Sequence, residues 1–259
     1  FPSAPNSDAP LFQPGLKESG WNLLDDGFLD ETHTIQGCDL SATERLWIDA
    51  WDAFVRLMGE RTGQPLKGFP YWADSWLDYP EVARSMRNAP RPRLNPVTGR
   101  YEPLASRPRL PKQVTRPTID PSLPAWKSSH LRRNYEAFEQ HWRDIVTWAW
   151  QWGLYTERFP ASRRKLEWQA QETKSLWETV MHFRPSGIRA KRPTYLPALV
   201  AITQTSIIGP RERRLSPREA ARLQGLPDGF TFLDQTSAET YKQLGNGVAI
   251  GAVQHVFRQ

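Results

Sequence analysis

The sequence predicts an α+β fold with long irregular loops, on three observations. Two stretches carry apolar residues at helical spacing, one β-branched run reads as a strand, and a proline-rich basic segment separates the two helices. The first helix starts at Ser41-Ala42-Thr43-Glu44, a capping box in which Ser41 accepts from the third helical N–H and Glu44 reaches back. Leu46, Trp47, Trp51, Phe54, Val55 and Met58 follow on one face, and Gly59 or Gly63 ends it. The second helix runs roughly from His130 to Trp152. Its stripe of Tyr135, Phe138, Trp142, Ile145, Val146, Ala149 and Trp150 is assigned to packing. The strand is Leu199 to Ile208, closed by Gly209-Pro210.

Between the helices, residues 89–124 hold nine prolines, which excludes regular helix or a central strand. Seven basic residues lie there against two acids, so a solvated connector and a phosphate-contacting arm are equally open. Residues 161–192 are basic again, with eight cations against Glu167, Glu172 and Glu178, and with Trp168, Trp177 and Phe183 interleaved. Residues 1–40, rich in Pro, Asp and Gly, read as a linker or irregular leading segment.

The chain has 259 residues, enough for one large domain or two smaller ones. Apolar residues make up only 39%, but twelve tryptophans and eleven phenylalanines each bury a large area, so a core is affordable. The net charge of +6 permits contact with a polyanion without requiring it. Cys38 is the only cysteine, which excludes an internal disulfide framework or a cysteine-based metal site and fits a reducing compartment. No apolar run approaches the ~20 residues that span a bilayer, and no signal peptide is visible. Phe1 at the start and Gln259 inside a helical pattern lead to the expectation that both ends are cuts through a longer reading frame.

The C-terminal stretch is the most informative. Ser216-Pro217-Arg218-Glu219 combines a capping box with proline at the first helical position, and the helix stops at Gly225. Thr236-Ser237-Ala238-Glu239 opens a short helix through Tyr241 and Leu244. Gly245-Asn246-Gly247 then precedes a final helix carrying Val248, Ile250, Val253, Val256 and Phe257. A glycine-flanked turn before a helix N-terminus suits an anionic group, although Gly-Asn-Gly is common in ordinary turns.

The run from Arg213 to Asp228, Arg-Arg-Leu-Ser-Pro-Arg-Glu-Ala-Ala-Arg-Leu-Gln-Gly-Leu-Pro-Asp, resembles the ninth conserved motif of DNA (cytosine-5) methyltransferases. Tyr241-Lys242-Gln243-Leu244-Gly245-Asn246-Gly247-Val248 resembles the tenth, in the right order and at a short separation. The family more often has serine where Gly247 stands. Segments 162–169 and 183–189 are similar to a subset of these enzymes.

The resemblance implies three parts: the leading segment 1–40, a target-recognition region over 41–212, and a 213–259 segment that completes the catalytic domain. The recognition region would be irregular α+β, and the last helices would belong to a doubly wound α/β domain whose sheet is mostly absent. By the same resemblance, Gly245, Asn246, Gly247 and Val248 line an S-adenosylmethionine pocket. Arg184, Ser186, Arg189, Lys191, Arg192, Gln204 and Thr205 are the candidate contacts to double-stranded DNA, while Arg218, Glu219 and Arg222 organise the fold. The family adds a cysteine thiolate to cytosine C6 on a base taken out of the stack. Cys38 follows glycine, not proline, and no Phe-x-Gly-x-Gly, Glu-Asn-Val or Gln-x-Arg-x-Arg pattern is present. The expectation is a bacterial or phage cytoplasmic chain that reads DNA and is inactive alone. It would be completed by a catalytic domain in cis or a catalytic subunit in trans. A non-catalytic DNA-binding module is the competing reading. Separated from its sheet, the last helix is expected to expose apolar side chains and to limit solubility.

Overall fold

The computed structural model describes residues 22–257 apart from 26, 195 and 200–204. Helix α1 spans Ala42–Thr62, with both bonds of the Ser41/Glu44 capping box made and Gly63 closing it in the left-handed region at φ 62°. Helix α3, Ala125–Gln151, begins about one turn before the periodicity suggested and breaks at His141, where φ is −136°. The shorter α2 is Pro80–Met86. Trp51, Phe54, Trp76, Phe138 and Trp148 interlock between α1 and α3 with ring centroids 4.9–6.3 Å apart. Trp51, Trp76, Trp142, Trp148, Trp152 and Trp168 are buried in this core, whereas Trp126 is exposed.

Strands β1 (Pro70–Trp72), β4 (Lys165–Gln169), β5 (Val180–Arg184), β6 (Gly187–Lys191), β7 (Ile207–Ile208) and β8 (Arg213–Arg214) form one sheet in the order β1-β4-β6-β5-β7-β8. Among the described residues, β4 and β6 are the one parallel pair. The basic block thus contains three strands that its charge concealed. Its buried residues alternate: Leu166 and Trp168, Met181 and Phe183, Ile188 and Ala190 face the aromatic core. The β5–β6 hairpin turns at Pro185-Ser186. Gly187 takes φ +148° there, and a Cβ on it would sit 2.9 Å from the Lys165 carbonyl. The proline-rich segment carries only a two-stranded ladder, β2 (Arg93–Leu94) with β3 (Tyr101–Glu102). Its Arg91, Arg100 and Arg116 are bound to Glu157, to Asp49 and Glu212, and to Glu139. Those pairs favour a packed connector over a phosphate arm.

The other sheet face carries a second, smaller core. Val180 and Ile208 meet Leu215, Ala220 and Ala221 around helix α4 (Pro217–Leu223), Leu244 of helix α5 (Ser237–Asn246), and Leu23 and Leu29. The leading segment is irregular where described, yet it is packed. One ion pair fastens it. Arg213 and Glu219 are both fully buried, joined at 2.6 and 2.8 Å. Arg213 also donates to the carbonyls of Thr32, Asp30 and Arg214, so all five guanidinium N–H groups are used. Glu219 accepts from the backbone N–H groups of Asp30 and Ser216, which fills both carboxylate oxygens. Burial raises the Glu219 pKa, but these partners outweigh it and hold the carboxyl below the usual range. Arg222 adds bonds to Asp30 and Asp228.

The last helix, α6 (Ile250–Phe257), leaves Val253 38%, Val256 69% and Phe257 85% exposed among the described residues.

Arg213→Ala strands a buried carboxylate and should lower unfolding free energy by about 3–5 kcal/mol. The double replacement Arg213→Met, Glu219→Met should cost much less, because no charge is orphaned. Urea denaturation at neutral pH measures both; equal losses would contradict the account.

Candidate nucleic-acid interface

Strand alternation sends one row of β4–β6 residues into the aromatic core and the other row outward. The outward row is Lys165, Glu167 and Gln169 on β4, Arg189 and Lys191 on β6, and His182 and Arg184 on β5. Glu167 sits opposite Arg189, which sits opposite His182. Glu167 is 12% exposed and organises the cations around it. Its Oε2 accepts from Arg189 Nε at 2.8 Å and Arg184 Nη1 at 3.2 Å, and its Oε1 accepts from Ser186 Oγ at 3.1 Å. Burial works to raise the carboxyl pKa, but Arg189, Ser186 and Arg184 together hold it below the ordinary range.

Lys165 lies 4.7 Å over the Trp72 ring, and its pKa is lowered by burial against the pull of Glu167. His182 is also lowered, by burial first and then by Arg184, Arg189 and Arg214. It is therefore neutral at physiological pH, and its buried Nδ1 has no hydrogen-bond partner among the described residues. The outward row carries four cations (Lys165, Arg184, Arg189, Lys191) against Glu167, a positive strip, and Arg192 and Glu172 follow just past the ends of β6 and β4. Arg192 meets Glu172 only at 3.8 Å, and both are exposed, so that pair binds weakly. Two further basic residues of the block are committed elsewhere. Arg163 is buried over Phe183 and Trp47, and Arg164 is bound to Asp74 at 2.6 Å.

The structure brings Arg184, Ser186, Arg189, Lys191 and Arg192 onto this one surface. Thr205 is not on it: it is 5% exposed, its carbonyl accepts from Arg214, and its side chain reaches the Tyr241 hydroxyl. Gln204 lies outside the described residues. Lys165, Glu167 and His182 were not singled out in the sequence. The alternation of Leu166 and Trp168 around Glu167 was the signal that identifies them.

Beyond the strip, Gly245 and Asn246 form the last turn of α5, so the turn is narrower than the sequence suggested. Gly247 caps the helix at φ −79°, ψ 164°, an ordinary extended conformation. Its N–H is spent on the Gln243 and Leu244 carbonyls, and the Ile250 N–H on the Gln224 carbonyl. Those two donors are therefore withdrawn from any anion site before α6. What the turn presents instead is the exposed Asn246 and the 70% exposed Val248. A carboxamide beside an apolar edge suits a purine or ribose better than a phosphate. Cys38 is buried, and burial, ahead of the attraction of Arg213, pushes its thiol up, leaving it protonated and a poor nucleophile.

Two measurements check this geometry. Because Glu167 has a depressed folded pKa, its contribution is present above the unfolded value of about 4.3 and is lost as pH falls through the folded one. Glu167→Gln should therefore melt lower than wild type at pH 7, by about 1 kcal/mol, with the gap closing under acid. A gap independent of pH would contradict the charge account. Gly247→Ser places a Cβ 3.4 and 3.6 Å from the Leu244 and Gln243 carbonyls, near-ordinary contacts on a backbone that serine adopts. It should change stability by no more than about 0.5 kcal/mol in thermal melts.

The model of the C-5 cytosine-specific DNA methylase family matches residues 85–259. The chain is 58% identical over 258 residues to the type II methyltransferase M.AluI of Cellulosimicrobium cellulans, covering 96% of this chain and 50% of that protein. It is 36% identical over 70 residues to the type II methyltransferase M.HhaI of Haemophilus parahaemolyticus, which is 27% of this chain and 21% of that one. M.HpaII of Haemophilus parainfluenzae is 50% identical over 42 residues, 16% of this chain and 12% of that protein. The chain spans half or less of the length of these relatives. No solved structure matches it. The match over residues 85–259 includes both the basic strip and the helices packed beside it, and the chain belongs to the C-5 cytosine-specific DNA methylase family.

Proposed function

We propose that this chain is the DNA-reading, C-terminal portion of a DNA (cytosine-5) methyltransferase. The observation that carries the reading is the shared sheet face: the basic strip of β4–β6 lies on the side that also carries α4 and α5. A duplex held on the strip is thereby held on the face that carries α4 and α5. Arg184, Ser186, Arg189, Lys191 and Arg192 supply the contacts. Arginine reads guanine through two parallel hydrogen bonds, while lysine and serine hold phosphates. Glu167 fixes Arg184 and Arg189 in place before DNA arrives, which lowers the ordering cost of binding.

Asn246 and Val248 would hold part of S-adenosylmethionine, which supplies the methyl group for cytosine C5. The residues described here orient the duplex and close one side of that site. A polypeptide carrying the nucleophilic cysteine and the main cofactor loop, in cis or in trans, provides the rest. Two observations support this. Cys38 is buried and protonated, and the apolar side chains of α6 await a cover.

The test is to incubate the chain with duplex DNA and S-adenosylmethionine, alone and mixed with the N-terminal half of an M.AluI-type enzyme, and to sequence after bisulfite treatment. The chain alone should bind DNA with a log affinity falling by about 3–4 per tenfold rise in salt, as four or so phosphate contacts imply. It should methylate nothing. Methylated cytosine should appear only in the mixture. Methylation by the chain alone, or none in the mixture despite DNA binding, would overturn the proposal.

A further inference from the structure

At the far end of the basic strip lies a cleft of about 350 Å³, lined by Gly68, Gln169, Gln171, Lys191 and Arg192 among others. Gln169 is the last residue of β4 and sits opposite Lys191 in the parallel β4–β6 register. Alternation with buried Leu166 and Trp168 puts it in the outward row with Glu167. Gln171 follows in a tight turn anchored at Ala170, whose carbonyl accepts from both the N–H and the hydroxyl of Thr173. Ala170 itself is fully buried, so the turn is fixed to the core. Within it Gln171 takes φ +40°, a left-handed conformation that glycine or asparagine adopts far more readily than glutamine. Strain of this kind persists only where the surroundings enforce it, and it clusters at binding sites.

The chemistry of the cleft differs from that of the rest of the strip. Arginine and lysine only donate, so alone they suit phosphate or guanine. A carboxamide donates and accepts together, the pattern that the adenine edge requires in the major groove. Both glutamines are exposed, and neither side chain has a hydrogen-bond partner among the described residues.

We propose that Gln169 and Gln171 are specificity-determining residues that read an adenine edge, with Lys191 and Arg192 holding the flanking backbone. The inference rests on the DNA-reading function proposed above. Its test is enrichment of tight binders from a randomised duplex pool by the 259-residue chain, its Gln169→Ala variant and its Gln171→Gly variant. Glycine at 171 removes the amide while relieving the left-handed backbone, so this variant should melt no lower than wild type and its result is free of unfolding.

The wild-type chain should enrich a defined sequence containing an A·T pair whose replacement by G·C weakens binding about tenfold, within the range of one bidentate contact. Each variant should lose the preference at that pair and keep it at the others. Selective enrichment by the wild type with the same preferences in both variants would overturn this inference alone. So would a uniform weakening on every sequence, the mark of phosphate contacts. Binding by the wild type without any preference would do the same. A wild-type chain that binds no duplex would overturn the DNA-reading function and this inference with it.

Discussion

The buried Arg213–Glu219 pair is the constraint on which the rest of the structure depends. Two charges removed from water are costly unless every lone pair and proton is matched, and here every one is. The match requires three chain segments at once: the carbonyls at 30 and 32, the edge strand at 213–214, and the first turn of α4. No two of them satisfy it without the third. The pair therefore acts less as a source of net stability than as a registry device. It fixes where the leading segment crosses the sheet edge and at what angle α4 leaves it. Cys38 and Asp39 follow from this, since Arg214 N–H donates to the Cys38 carbonyl and Asp39 bridges to Arg213.

From that edge inward, the sheet separates two tasks by its faces. One face is buried against α1 and α3 with an aromatic core that tolerates little change in volume. The other is divided along its length, apolar under α4 and α5 and cationic under open solvent. The charged surface is built on strands rather than on loops. Its arginines are therefore placed by backbone pairing, and Glu167 then sets their side-chain directions.

How much of this was legible follows from which physics is local. Helix starts were read correctly at Ser41, Ser216 and Thr236 because a capping box is complete within four residues. The ninth and tenth motifs were legible for the same reason, as contiguous strings. Strands β4–β6 were not identified, although their alternation is plain in hindsight, because cations in the outward row masked a period-two pattern of short length. Burial of Thr205 was not legible at all. It depends on Tyr241, thirty-six positions away in sequence, and no local rule links the two. A similar limit holds at Gly245-Asn246-Gly247: composition shows which N–H groups exist, not that the Gln243 and Leu244 carbonyls take up the one on Gly247.

Strand β5 is where the two tasks meet. Its first residue, Val180, belongs to the small core with Leu215, Ala220 and Leu244, and its last, Arg184, belongs to the basic strip. Four residue steps separate them, about 14 Å of extended chain. β5 is paired on both sides over part of that length, with β6 and with β7, so it bends little. A displacement of Arg184 is thus transmitted through paired backbone to the core that seats α4 and α5. The coupling needs no hinge. It needs only that β5 stay in register, and the register is held by the alternation that buries Met181 and Phe183 on the opposite face. A one-residue slip would turn His182 and Arg184 into the aromatic core, where an unpaired charge is prohibitively costly, so the geometry that orients the basic strip is the same one that keeps the core dry.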